Sequence, residues 1–172
     1  YLELEFSQAT SGLTLKDYEN FEKLCRAGEW RSYEPRMLKA LQEARPEHQL
    51  DVLIHRRNYD QALAVLTGMR YPGHSSWDNR RVLDVAARLE EKYPEQILAF
   101  YLSGLGNLNV AFSRQIYAHK AGVAKRVRHM WVDVLEQPEK WSAFVKKVRA
   151  LNSRRPAFRQ EFARVLPDWE EL

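Results

Sequence analysis

A chain of 172 residues with 45% hydrophobic and 29% charged side chains has the composition of a single globular domain, and chains near this size bury roughly 70% of their unfolded surface. The net charge of +4 is unevenly spread: residues 1–111 hold 14 Lys and Arg against 16 Asp and Glu, residues 112–155 hold 11 against 3, and residues 156–172 hold 2 against 4. Cys25 is alone, which excludes an internal disulfide and a cysteine-based zinc site built from this chain, and no apolar run reaches the ~20 residues of a membrane span.

Residues 1–12 alternate apolar and acidic side chains and then turn polar, a pattern compatible with a short strand, a linker or a frayed chain end; residues 1–13 are therefore set apart as an N-terminal linker. From there the periodicity is helical. Thr14 can cap a helix running to about Ala27, with Tyr18, Phe21 and Cys25 on one face and Gly28 ending it. Trp30 opens a second helix whose face carries Tyr33, Met37, Leu41 and Ala44, with Pro35 placed in its first turn. Pro46 starts a third with Leu50, Leu53 and Ile54, and Asn58 caps a fourth with Ala62, Leu66 and Met69.

The stretch YPGHSS at 71–76 is the strongest break, and 71–77 is the candidate sub-boundary within an otherwise single domain over 14–172. Asp78 then caps a helix bearing Val82, Val85, Leu89 and Tyr93, and Pro94 begins another with Ile97, Tyr101 and Leu105. The longest helix is expected over 112–135, where Phe112, Ile116, His119, Val123, Val127, Met130 and Val134 step by threes and fours. Pro138 opens a helix with Trp141, Phe144, Val148 and Leu151; Pro156 opens the last, with Phe158, Phe162 and Val165.

Three helices start alike, with a polar cap before a large aromatic: GEW at 28–30, RNY at 57–59 and PEKW at 138–141. Paired helices that cannot bury their own faces alone are the logic of repeat arrays. The predicted fold is all-α, an irregular tetratricopeptide-like α-solenoid of stacked helical hairpins.

No catalytic constellation stands out. His48 and His55 are seven apart and His119 and His129 ten apart, whereas a helical zinc hydrolase presents two ligands at i, i+4. Gly104-Leu105-Gly106 lacks the third glycine of a dinucleotide loop and follows a helical pattern. Glu90-Glu91 and Glu170-Glu171 are adjacent, point in different directions on a helix, and read as solvated charges. The expectation is a non-enzyme without cofactor, metal or small-molecule substrate, cytoplasmic and without a membrane partner.

The basic segment says more. Arg114, Lys125 and Arg128 fall within about 60° of one another on their helix. Lys140, Lys147 and Arg154 recur every seven residues and form a second row, extended by Lys146 and Arg155. Two aligned cationic rows suit phosphates or an acidic protein surface. A purely solvated face is the plainer account of such a charge run.

Over residues 94–166, the succession PEQILAFY, RQIYAHKAGVAKRVRHMW, PEKWSAFVKKVRAL and RRPAFRQEF resembles the helical C-terminal region of bacterial SWIM zinc-finger proteins. That resemblance implies a helical-repeat module appended to a zinc finger that contacts nucleic acid or protein. The finger's three cysteines and histidine have no counterpart here, so its metal site does not carry over. Two readings of function follow: a non-catalytic, protein-binding scaffold within a larger protein, or a nucleic-acid-binding module using the basic face of residues 112–155.

Overall fold

The computed structural model describes residues 1–74 and 79–171, and every regular element among them is helical: ten α-helices and one π-helical turn. The expected cap at Asp78, and residues 75–77 of the candidate sub-boundary, lie outside the described residues. The chain divides into two compact units, residues 1–69 with 81–85 and residues 70–80 with 86–172.

The first unit opens with α1 (Leu2–Thr10), so the expected strand, linker or frayed end over 1–13 is a helix instead. The reason is tertiary. Phe6 packs against Phe21 and Tyr33 at ring separations of 5.6 and 5.4 Å, and the Arg36 guanidinium lies 4.3 Å above the Phe6 ring. Arg36 also grips Glu3 with two bonds of 2.7 and 3.0 Å, while the Tyr33 hydroxyl donates to the same carboxylate at 2.9 Å. These bonds, those from Arg36 first, hold the Glu3 carboxyl down at about 2. None of the partners is near in sequence, so local periodicity could not announce this helix.

Next, α2 (Leu15–Leu24) starts at a reciprocal box in which Thr14 and Asp17 each satisfy the other's backbone N–H. It ends before Cys25, not at Gly28, which lies inside α3 (Ala27–Leu41). The Arg26 N–H donates to the Glu29 carboxylate at 2.8 Å, moving the start of α3 upstream of Trp30. Pro35 consequently falls within the helix rather than in its first turn and leaves the Arg31 carbonyl without its usual N–H partner. Helices α4 (Pro46–His55) and α5 (Tyr59–Gly68) form a tight hairpin. Arg57, at φ 58°, provides the left-handed turn; its N–H and that of Asn58 close onto the Ile54 and Leu53 carbonyls, and Asn58 caps α5. Tyr18, Phe21, Met37, Leu50, Leu53 and Leu66 are buried in this unit.

Helix α6 (Asn79–Leu89) is divided between the units. In the second unit, α7 (Pro94–Leu105) and α8 (Arg114–His129) pack together, α10 (Pro156–Val165) packs on α8, and α9 (Pro138–Leu151) meets the π-turn (Met130–Val134) that extends α8. Because α8 receives neighbours on two sides, its buried residues are Tyr117, Lys120, Ala121, Val123, Ala124 and Val127. Their mean direction is rotated by about 70° from the stripe read by periodicity. Ala121 and Ala124 leave room for close helix approach. Lys120, 9% exposed, donates to the Leu105 carbonyl at the end of α7, where a cation meets the negative end of the helix dipole. Gly104 belongs to the same junction: a Cβ there would lie 2.6 Å from the Tyr71 ring.

An aromatic group closes the unit. Phe158 and Phe162 stack at 3.9 Å, Trp169 sits 4.9 Å from Phe162, and Trp141 lies 5.4 Å from Phe144 and 6.4 Å from Trp169. Trp141 is 3% exposed, so Trp141→Ala should cost about 3–5 kcal/mol in urea unfolding. Trp141→Phe should cost much less, because the buried indole N–H has no partner among the described residues. An unchanged midpoint for the alanine variant would contradict this packing.

Candidate functional site

The six cations of the two sequence rows meet different fates. Arg114, in the first turn of α8, donates to Glu161 on α10 at 3.0 Å and to Gln160 at 3.0 Å. Arg128, near the end of α8, pairs with Asp168 at 3.2 Å. Lys125 is exposed between them. Two of the three α8 cations are therefore engaged by carboxylates of the same unit, although Arg114 itself remains exposed. Lys140, Lys147 and Arg154 are all exposed, and no carboxylate lies within ion-pairing distance of them among the described residues. Arg155, which extends the row in sequence, turns to Asn152 at 2.8 Å and to the Asn109 carbonyl at 3.3 Å.

The buried face of α9 is Trp141, Val145 and Val148. On the helical wheel of α9, Lys140 and Lys147 flank that face on one side and Lys146 and Arg149 on the other; Arg154 and Ser153 lie in the turn after Leu151, so the third member of the expected row is off the helix. The second pair was missed in part because its spacing of three resembles ordinary helix surface. Its significance depends on Arg159, which α10 brings alongside.

A polar network was also missed. Glu90, read as a solvated charge, is only 8% exposed and accepts a 2.6 Å bond from the buried Tyr101 hydroxyl. Its second oxygen is 2.9 Å from His129 Nε2, while His129 Nδ1 is 3.0 Å from Asp133. Asp133 sits in the π-turn, four residues after His129. Burial pulls the imidazole pKa down, but the Asp133 and Glu90 carboxylates together outweigh it and leave His129 raised. Burial and the Glu90 carboxylate push Tyr101 far up, so it remains a neutral donor. His119 goes the other way. Packed 6.2 Å from both Tyr71 and His74, it is lowered chiefly by burial. The network is a structural brace with a titratable centre. Among the described residues, no three His, Cys, Asp or Glu side chains converge to hold a metal ion, and no helix is long and apolar enough to cross a membrane.

The His129 shift has a definite sign. A folded-state pKa above the unfolded value contributes stability that is complete below the unfolded value and is lost as pH rises through the folded one. The urea midpoint should therefore carry a component that declines as pH rises from about 6.5. His119 contributes with the opposite sign, so the diagnostic is the difference between the native chain and His129→Gln. A pH-independent difference would remove His129 from the network.

No family model, curated protein or solved structure matches the chain significantly.

Proposed function

We propose that this chain is a non-catalytic helical interaction module that docks an acidic protein segment along α9. The reading rests on one observation: the α8 cations Arg114 and Arg128 are paired with Glu161 and Asp168, whereas Lys140, Lys147 and Arg154 are exposed with no ion-pair partner among the described residues. Unpaired like charges repel one another, and an acidic partner relieves that repulsion as it binds. Lys140 and Lys147 stand about 10 Å apart along α9 at 1.5 Å per residue, and Arg154 follows in the turn beyond the helix end, which suits an extended peptide.

Within this proposal the α4–α5 and α7–α8 hairpins are units of a degenerate tetratricopeptide-like solenoid. The SWIM-like pattern over 94–166 would put such a module beside a zinc finger elsewhere in a larger protein. The lone Cys25 suits a reducing, cytoplasmic setting.

Nucleic acid is the rival occupant, and the internal pairing of two of the six cations weakens it. A Glu-rich peptide should bind in low salt and dissociate as salt rises, since screening acts within about 10 Å at 0.1 M. Exposed charge pairs contribute about 0.5 kcal/mol each, so replacing Lys140, Lys147 and Arg154 together with Gln should weaken binding about tenfold without lowering stability. If duplex DNA binds instead, with a logarithmic salt slope of about −0.9 per phosphate, the nucleic-acid reading replaces this one. Equal peptide binding by the native chain and the triple variant would remove α9 from the site.

A further inference from the structure

A cavity of about 510 Å³ lies on the opposite flank of α9 from the Lys140 row. Lys146, Arg149 and Ser153 line it from α9 and the turn that follows, Arg159 from α10, and Trp169 and Glu170 from the chain's last described residues. Three cations and one carboxylate leave its lining with two uncompensated positive charges. Lys146 and Arg149 have no ion-pair partner among the described residues. The one carboxylate among its described lining residues, Glu170, stands 3.7 Å from Arg159 Nη2, well beyond the 2.7–2.9 Å of a strong charge-assisted bond. Both side chains of that pair are about half exposed, so the contact is easily exchanged.

The geometry points to an anion pocket for a phosphate monoester, over which Glu170 stands as a weak internal competitor. A monoester carries a charge of about −1.5 to −2 at neutral pH, which neutralises the lining; a carboxylate or a phosphodiester supplies only half as much. Guanidinium groups offer the planar forks that pair with phosphate oxygens, and the Ser153 hydroxyl can donate as well. The volume falls within the ordinary range for small-ligand pockets, roughly 300–1,000 Å³. It admits a phosphate with the group that carries it. The ester can come from a phosphorylated protein side chain or from a small free phosphate. The pocket does not depend on the Lys140 row being functional.

The test is a titration of the isotope-labelled chain with phenyl phosphate, read by NMR at the Ser153 and Arg159 amides and the Trp169 indole. Saturable shifts are expected at these three groups. Arg149→Gln should weaken binding about tenfold or more, the usual consequence of losing one hydrogen bond to a charged group. Glu170→Gln should tighten it, a gain that misfolding cannot imitate. The source is identified by a Glu-rich peptide carrying or lacking one phosphoserine. A phosphorylated form that binds about tenfold tighter, with the increment lost in Arg149→Gln and kept in the Lys140, Lys147 and Arg154 triple variant, assigns the pocket to a protein side chain. If phenyl phosphate binds and the two peptides are equivalent, the pocket serves a small phosphate ester. If neither peptide binds while phenyl phosphate does, the α9 docking reading falls and the pocket stands. Absence of saturable phenyl phosphate shifts, or shifts unaltered in Arg149→Gln, overturns the pocket.

Discussion

A nearly buried carboxylate governs how the charges of the second unit are arranged. Glu161 is 4% exposed, and a carboxylate so far from water costs several kcal/mol unless cations face it. Arg114 reaches one of its oxygens at 3.0 Å from α8, and Arg164 lies 2.9 Å from the other, in an ion-pair contact without hydrogen-bond geometry. The α8 contact crosses between helices, so satisfying Glu161 also sets α10 against α8, where Tyr117 meets Phe158 edge-on at 5.4 Å. Such a pair adds little net stability over an apolar replacement, but either partner alone would be costly. Arg128 and Asp168 make a weaker, more exposed counterpart near the segment that brings Trp169 into the core. The result is a division of labour: Arg114 and Arg128 of α8 fasten the second unit, and Lys140 and Lys147 of α9 face solvent.

The π-turn supports that division. Its wider turn is closed by the Leu135 N–H on the Met130 carbonyl at 2.8 Å and presents Asp133 to His129. It also sets Trp131 5.7 Å from Phe144, which seats α9 by its apolar face. π-turns inside α-helices often mark functional places. Here the turn orients α9, linking the Tyr101–Glu90–His129 brace to the surface that carries the proposed sites.

Much of the helical order was legible, because its signals are local. Pro46, Pro94, Pro138 and Pro156 each occupy the first position of a helix, where a missing N–H is harmless, and Thr14 and Asn58 cap as their chemistry suggests. The errors arise where distant residues decide. Helix α1 depends on Arg36 and Phe21, the buried face of α8 on its two neighbours, and the burial of Glu90 on Tyr101 and His129. The same limit applies to the charged rows. Periodicity placed Arg114 and Arg128 on one side of α8, but only the approach of α10 and of Asp168 gives them carboxylate partners. Lys140, Lys147 and Arg154 are exposed, with no carboxylate within ion-pairing distance among the described residues. The cavity at Lys146, Arg149 and Arg159 joins α9 to α10, a pairing that spacing along one helix cannot express.

If α8 and α9 use like charges for different ends, a crossed pair of single substitutions separates the two uses. Arg114→Gln and Lys147→Gln should be compared for urea unfolding and for binding of a Glu-rich peptide at low salt. Arg114→Gln should lower the unfolding midpoint and leave affinity unchanged, while Lys147→Gln should weaken binding and leave the midpoint unchanged. A loss of affinity in Arg114→Gln equal to that in Lys147→Gln, with both midpoints unmoved, would contradict this division.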